Sequence, residues 1–157
     1  MNFLQKIESD KAPKAIGPYS PAVKLGDFVF LSGQLGMDHE GVLVGDDVKS
    51  QTHQAMKNIG ALLSEMELSY RHIVKTTVFV SDLNDFNKVN EIYGSYFDEG
   101  VYPARSCVEV ARLPKDAKVE IECMVLDTSV YEKQMEQSQC GDGCGSDCGG
   151  GCCGGCE

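Results

Sequence analysis

The residues of this chain best suited to chemistry lie in Tyr102–Glu122, YPARSCVEVARLPKDAKVEIE. Arg105 is a basic side chain among neighbours that suit a small acidic ligand, and Glu120 is a carboxylate on the next alternating run. Period-two alternation puts Arg105, Cys107 and Glu109 on one strand face, with Ser106, Val108 and Val110 opposite. Over Lys118–Leu126 it puts Glu120 and Glu122 on one face and Val119, Ile121, Cys123 and Val125 on the other. Leu113-Pro114-Lys115-Asp116 reads as the turn between them, since Pro cannot donate to a central ladder. A short hairpin there is expected to bring Arg105 close to Glu120. On pattern alone the pair is either a structural ion pair or a carboxylate clamp beside a general base.

The rest of the chain must position these groups. Phe3–Glu8 reads as a short edge strand, followed by Ala15–Pro21, a loop stiffened by Pro18 and Pro21 that presents Tyr19. Val23–Leu25 and Phe28–Leu31 flank Gly26-Asp27, a hairpin signal, and the second strand runs out into Ser32-Gly33-Gln34. Helical spacing begins near Asp47 with Val48, Thr52, Ala55, Met56, Ile59, Leu62, Leu63 and Met66, and an Asp at 46 or 47 would cap it. His72–Ser81 is a β-rich run of the kind that fills a sheet centre. A second helix starts near Asn84, carries Phe86, Val89, Tyr93, Tyr96 and Phe97 on one stripe, and is expected to end at Gly100. The order β-β-β-α-β-α-β-β predicts an α+β fold with two helices over one face of a mostly antiparallel sheet. Phe28 and Phe30 alternate with Val29 and Leu31, so the sheet is apolar on both faces. Two helices cover one face only, and other copies of the chain are expected to cover the other.

Bulk properties narrow the function. The 157 residues suit one domain with a sizeable core. The net charge of −10, of which −4 falls in residues 128–157, argues against partners held by phosphate neutralisation or anionic membranes. No segment resembles a signal peptide or a membrane span, and only Cys107 and Cys123 fall in the first 127 residues, which points to a cytoplasmic protein.

Residues 128–157 are a different object from the 1–127 domain. Val130–Gln137 reads as a short helix or spacer, and residues 138–157 hold six Cys and eight Gly. Cys140, Cys144, Cys148 and Cys152 repeat every four residues, followed by Cys153 and Cys156. Such a run cannot build a core and is expected to be disordered without a ligand. Its thiolates suit a soft ion such as Zn²⁺ or Cu(I), although only Cys153 and Cys156 have the spacing of a zinc ribbon. Disulfides, a chaperone role for metal or persulfide, and an inert tail are the alternatives.

Ala15-Ile16-Gly17-Pro18-Tyr19-Ser20, Phe30–Gln34, Val74–Val80 with Asp82–Phe86, and Pro103–Asp116 together resemble the Rid (YjgF) family, in its RidA branch of enamine/imine deaminases. The resemblance covers roughly residues 3–127 in order and leaves out the tail. It implies a chorismate-mutase-like α+β fold and a homotrimer with sites in the clefts between subunits. It also implies hydrolysis of 2-imino acids, 2-iminopropanoate and 2-iminobutanoate among them, to 2-oxo acids and ammonia with no cofactor or metal. Residue by residue, it implies that Arg105 binds the substrate carboxylate and that Glu120 holds or activates the attacking water. Tyr19, Ser32, Gly33 and Asn90 would line the cleft, and Cys107 would contact the carboxylate through its backbone rather than act as a nucleophile. A carboxylate beside Arg105 is expected to stay ionised. His39, His53 and His72 show no metal-ligand spacing and read as ordinary surface residues. Two other functions are alternatives: a non-catalytic module binding small 2-oxo acids at the same cleft, and an RNA-cleaving activity attributed to some relatives, which the acidic charge disfavours.

Overall fold

The computed structural model describes residues 3–139. Six strands form one mixed sheet: β1 (Gln5–Ile7), β2 (Ala22–Leu25), β3 (Phe28–Leu35), β4 (Ile73–Val80), β5 (Ala104–Glu109) and β6 (Val119–Leu126). The helices are α1 (Val48–Ser64), α2 (Phe86–Gly94) and α3 (Ser129–Gln139). A unit boundary falls between Asp127 and Thr128, and α3 lies beyond it.

Local signals explain most of these elements. Gly26 takes φ +60° in the two-residue turn between β2 and β3, a conformation that costs a residue without Cβ little. Asp47 caps α1, its side chain accepting from Ser50 N at 2.8 Å. The Ser50 side chain first, and its backbone N–H after it, hold the Asp47 carboxyl below the usual range. One face of α1 buries Met56, Ile59, Leu62 and Leu63 completely, against Val29, Val78, Ile121 and Val125 of the sheet. Each such side chain contributes roughly 1.5–3 kcal/mol of burial, so this layer dominates stability. The second helix ends at Gly94, not at Gly100, and Tyr96 and Phe97 pack from the turns that follow.

The strand order is β1-β2-β3-β6-β4-β5. β6 runs antiparallel between β3 and β4, while β4 and β5 are parallel neighbours joined by the α2 crossover. The expected hairpin between β5 and β6 therefore does not form. The reason lies in burial. Four residues of β6 (Val119, Ile121, Cys123, Val125) are buried, so β6 needs neighbours on both sides; no residue of β5 is fully buried, and it takes the edge. Pro114–Asp116 forms a 3-10 turn in which Lys115 and Asp116 both have positive φ, and the chain there returns across the end of β4.

Helices cover one sheet face. Phe28 and Phe30 on the other are 51% and 44% exposed, and Val74 and Val108 share that exposure. A second, smaller cluster of Leu35, Met37, Leu113 and Ala117, with Phe79 and Val110 against it, closes one end of that face.

Candidate active site

The Arg105 guanidinium is built into its position by one stripe of α2. Phe86, Asn90 and Tyr93 recur at helical spacing and all three meet it. Arg105 Nη1 donates to Asn90 Oδ1 at 2.7 Å, and Cζ lies 4.9 Å from the Tyr93 ring centroid and 5.5 Å from that of Phe86. Cation–π contacts of this kind contribute roughly 0.5–2 kcal/mol each and restrict the plane of the fork. Among the described residues no carboxylate pairs with Arg105. The ion pair with Glu109 or Glu120 is thus not made; Glu109 instead accepts from Leu83 N at 2.7 Å. A cleft of about 430 Å³ opens here, lined by Asn90, Tyr93, Gly94, Tyr102, Pro103 and Arg105.

Cys107 lies two residues along the same strand. Val110 N donates to Val80 O at 2.9 Å, so alternation in the parallel ladder turns the even-numbered amides of β5 toward β4. The N–H groups of Arg105 and Cys107 consequently point to the open edge, beside the guanidinium. The Cys107 thiol is pushed up by burial, only partly offset by the Arg105 charge, which is the wrong direction for a nucleophile.

Glu120 sits in another place. The register between β3 and β6 slips between Leu31 and Gln34, a bulge that sets Ser32 and Gly33 opposite Glu122. The Glu120 side chain folds over Gly33, where an added Cβ would lie 1.8 Å from Oε1 and 2.6 Å from Cδ. Gly33 is therefore the space the carboxylate occupies. Ser32 Oγ donates to Ser20 O at 2.7 Å and Ser32 N to Pro21 O at 2.9 Å, which fastens the Tyr19 loop to the bulge. The result is a cleft of about 410 Å³ whose polar groups come from Tyr19, Ser32, Gln34 and Glu120 and whose walls include Ile16, Leu35, Met37 and Pro114.

Burial, and after it the charge of Glu122, raises the Glu120 carboxyl above its ordinary value. This corrects the expectation that a neighbouring arginine keeps it ionised, because Arg105 of the same chain is not there. The sign follows from linkage. A carboxyl raised in the folded state favours folding below its unfolded value, near pH 4.3, and loses that contribution as pH rises through the folded value. In the separated chain Glu120→Gln is therefore expected to be more stable than wild type at pH 7, with the gap closing toward pH 4. Thermal melts of both proteins across that range check it, and a destabilised Gln variant at pH 7 contradicts it.

The two groups lie on opposite faces of the sheet. Arg105 registers with Thr76, and Thr76 with Cys123, all on the helix-covered face. Glu120 registers with Phe79 and Leu35 and alternates with the buried Val119 and Ile121, so it faces the other way. The structure thus groups Asn90 and Arg105 in one cleft, with Cys107 two residues along the same strand, and Tyr19, Ser32, Gly33 and Glu120 in another, and does not join them within one chain. His72 is buried rather than on the surface, its Nδ1 accepting from Ser69 N, and His53 Nδ1 bonds the Tyr96 hydroxyl at 2.7 Å. The tail cysteines Cys140 to Cys156 lie outside the described residues. Tyr93 and Phe86 meet Arg105 although they read as core positions of α2; the polar Asn90 on the same stripe was the one signal that pointed to them.

Comparison with known proteins agrees with the fold. The chain is 49% identical over 122 residues to a 2-iminobutanoate/2-iminopropanoate deaminase of Salmonella typhimurium, covering 76% of this chain and 95% of that protein. It is 48% identical over 125 residues to a RutC family protein of Synechocystis, covering 78% and 96%. Among solved structures it resembles Escherichia coli TdcF with bound serine, with a TM-score of 0.74 at 46% identity over 78% of this chain and 98% of that one. A family model described as Endoribonuclease L-PSP matches residues 9–127, and the chain belongs to that family, the Rid family of its sequence resemblance.

Proposed function

We propose that the protein hydrolyses 2-imino acids to 2-oxo acids and ammonia, in clefts that two copies of the chain complete together. The observation that carries this reading is the Arg105 fork, oriented by two rings and an amide, without a carboxylate partner among the described residues, opening on a cleft with the outward Cys107 N–H beside it. A planar guanidinium and an adjacent N–H match a small carboxylate, with two parallel charge-assisted bonds that lysine cannot make. Support comes also from the relatives, one named as a deaminase of this kind and one solved with serine bound.

The chemistry then needs a water on the imine carbon. With the carboxylate held by Arg105, Glu120 of a second copy accepts a proton from water as its oxygen bonds to that carbon. The imine nitrogen takes up a proton from solvent, giving a carbinolamine. Glu120 returns its proton to nitrogen as the C–N bond breaks, the hydroxyl proton goes to solvent, and the products are ammonia and the 2-oxo acid. A carboxyl raised by burial is a better base for the first step, and Arg105 of the neighbour draws it back toward the ionised form. Homotrimeric assembly would bury the exposed Phe28, Phe30, Val74 and Val108 and bring the two clefts together.

The acidic charge gives no footprint for a phosphate backbone, so the family description as an endoribonuclease does not become our reading. No described helix is long and apolar enough to cross a membrane, and we assign the chain to the cytoplasm. The test is ammonia release from imines generated in situ by a threonine or serine dehydratase. Wild-type protein is expected to accelerate it; binding of the 2-oxo acid without acceleration would select a non-catalytic carboxylate-binding module instead. The tail cysteines are proposed separately as ligands for a soft ion. Zinc bound by the full chain should be lost on truncation after Leu126, with deamination kept.

A further inference from the structure

We propose that a buried hydroxyl pair, Thr76 with Tyr93, is the positioning element that seats the Tyr93 ring beneath the Arg105 guanidinium and so holds the fork in place. The inference rests on Arg105 being the carboxylate clamp and adds what holds the clamp in register. Thr76 is the residue paired with Arg105 across the parallel ladder, so the two side chains leave the sheet side by side on the helix-covered face. Tyr93 descends from α2 onto both. Its ring lies under the guanidinium with Cζ 4.9 Å from the centroid, and its hydroxyl meets Thr76 Oγ1 at 2.8 Å. Thr76, Tyr93 and Arg105 thereby close a triangle in which β4, α2 and β5 each supply one corner.

The chemistry of burial makes this triangle rigid. Thr76 is 1% and Tyr93 4% exposed, so neither hydroxyl can turn to solvent for an alternative partner. A buried hydroxyl left unpaired is strongly disfavoured, so the need to reach Oγ1 fixes where the tip of the Tyr93 ring lies. The Phe97 ring packs against it, centroids 4.9 Å apart at 46°, and limits rotation about the ring's long axis. Asn90 anchors a single nitrogen of Arg105 and so sets one point of the fork; a plane needs the ring beneath it as well. Two parallel bonds to a carboxylate demand that plane, which is why a positioning residue here acts on binding.

The experiment separates positioning from plain stability. Thr76→Val leaves the Tyr93 hydroxyl unpaired, Thr76→Ser keeps the bond, and Thr76→Val with Tyr93→Phe removes both partners and leaves no unpaired group. Binding of 2-oxobutanoate is measured by calorimetry and deamination by the coupled assay, alongside thermal melts. The double variant is expected to melt near wild type yet bind 2-oxobutanoate about tenfold more weakly, with KM raised and kcat within about twofold. Thr76→Ser is expected to match wild type in both. Wild-type affinity in the double variant overturns the inference, as does an affinity that simply follows melting temperature across the series. Failure of wild type to turn over imine while binding 2-oxobutanoate would sink the deaminase reading and leave this inference to be judged on binding; failure to bind 2-oxobutanoate at all would overturn both.

Discussion

Arg105→Ala subunits co-assembled with Glu120→Gln subunits are expected to recover deaminase activity that neither variant has alone. Each variant by itself should lose at least about 10²-fold in kcat/KM, since one removes the charge-assisted bonds to substrate and the other the base. Recovery follows from geometry. Arg105 and Glu120 lie on opposite faces of one sheet, with β4 between their strands, so they serve one substrate only if they come from different copies. In a closed ring mixed one to one, about a quarter of the clefts receive a good Arg105 from one neighbour and a good Glu120 from the other. Activity near that fraction after co-refolding is the predicted result. No recovery, with mixed oligomers shown to form, would mean that the clefts do not combine across copies.

Gly33→Ala is expected to behave like the loss of Glu120 while leaving the fold nearly intact. The added methyl would occupy the space of the carboxylate, 1.8 Å from Oε1, so the side chain must swing away. The obstacle is the far end of a flexible side chain rather than backbone, and the shift costs little in stability. A catalytic group displaced by an ångström or more loses about 10²-fold in rate. The decisive comparison is the double variant: Gly33→Ala in a Glu120→Gln background should cause almost no further loss, because both act through one group. Independent, additive losses would assign Gly33 some other role.

The bulge that creates this dependence was not readable from the chain, although Ser32 and Gly33 were. Alternation carries the face of a residue within its own strand but not the identity of the strand beside it. Arg105, Cys107 and Glu120 were therefore legible as residues suited to chemistry, and their mutual arrangement was misread. A Pro-containing turn between two alternating runs suggests a hairpin; here the chain crosses β4 instead, because a strand with four buried residues takes the centre and one with none takes the rim. The second role of α2 was hidden for a similar reason. Phe86 and Tyr93 fit an apolar stripe so well that nothing in their spacing separated packing against the sheet from packing against a charge. Asn90 stood out because a polar residue on that stripe needs a partner.

The two clefts also differ in how the chain makes them. Thr76, Phe86, Asn90, Tyr93, Arg105 and Cys107 all belong to a single strand–helix–strand segment, β4 through β5. The Glu120 cleft draws on Tyr19, Ser32 and Gly33 near one end of the domain and on Pro114 and Glu120 near the other. Contacts close along the chain form early and cheaply, whereas joining distant segments carries the larger loop-closure entropy. Amide hydrogen exchange under mild denaturant should then reveal two kinetic units, with the Ser32–Gly33 bulge opening at lower free energy than the β4–β5 segment. On that view the guanidinium cleft is a local foldon, and the carboxylate cleft reports whether the whole domain has closed.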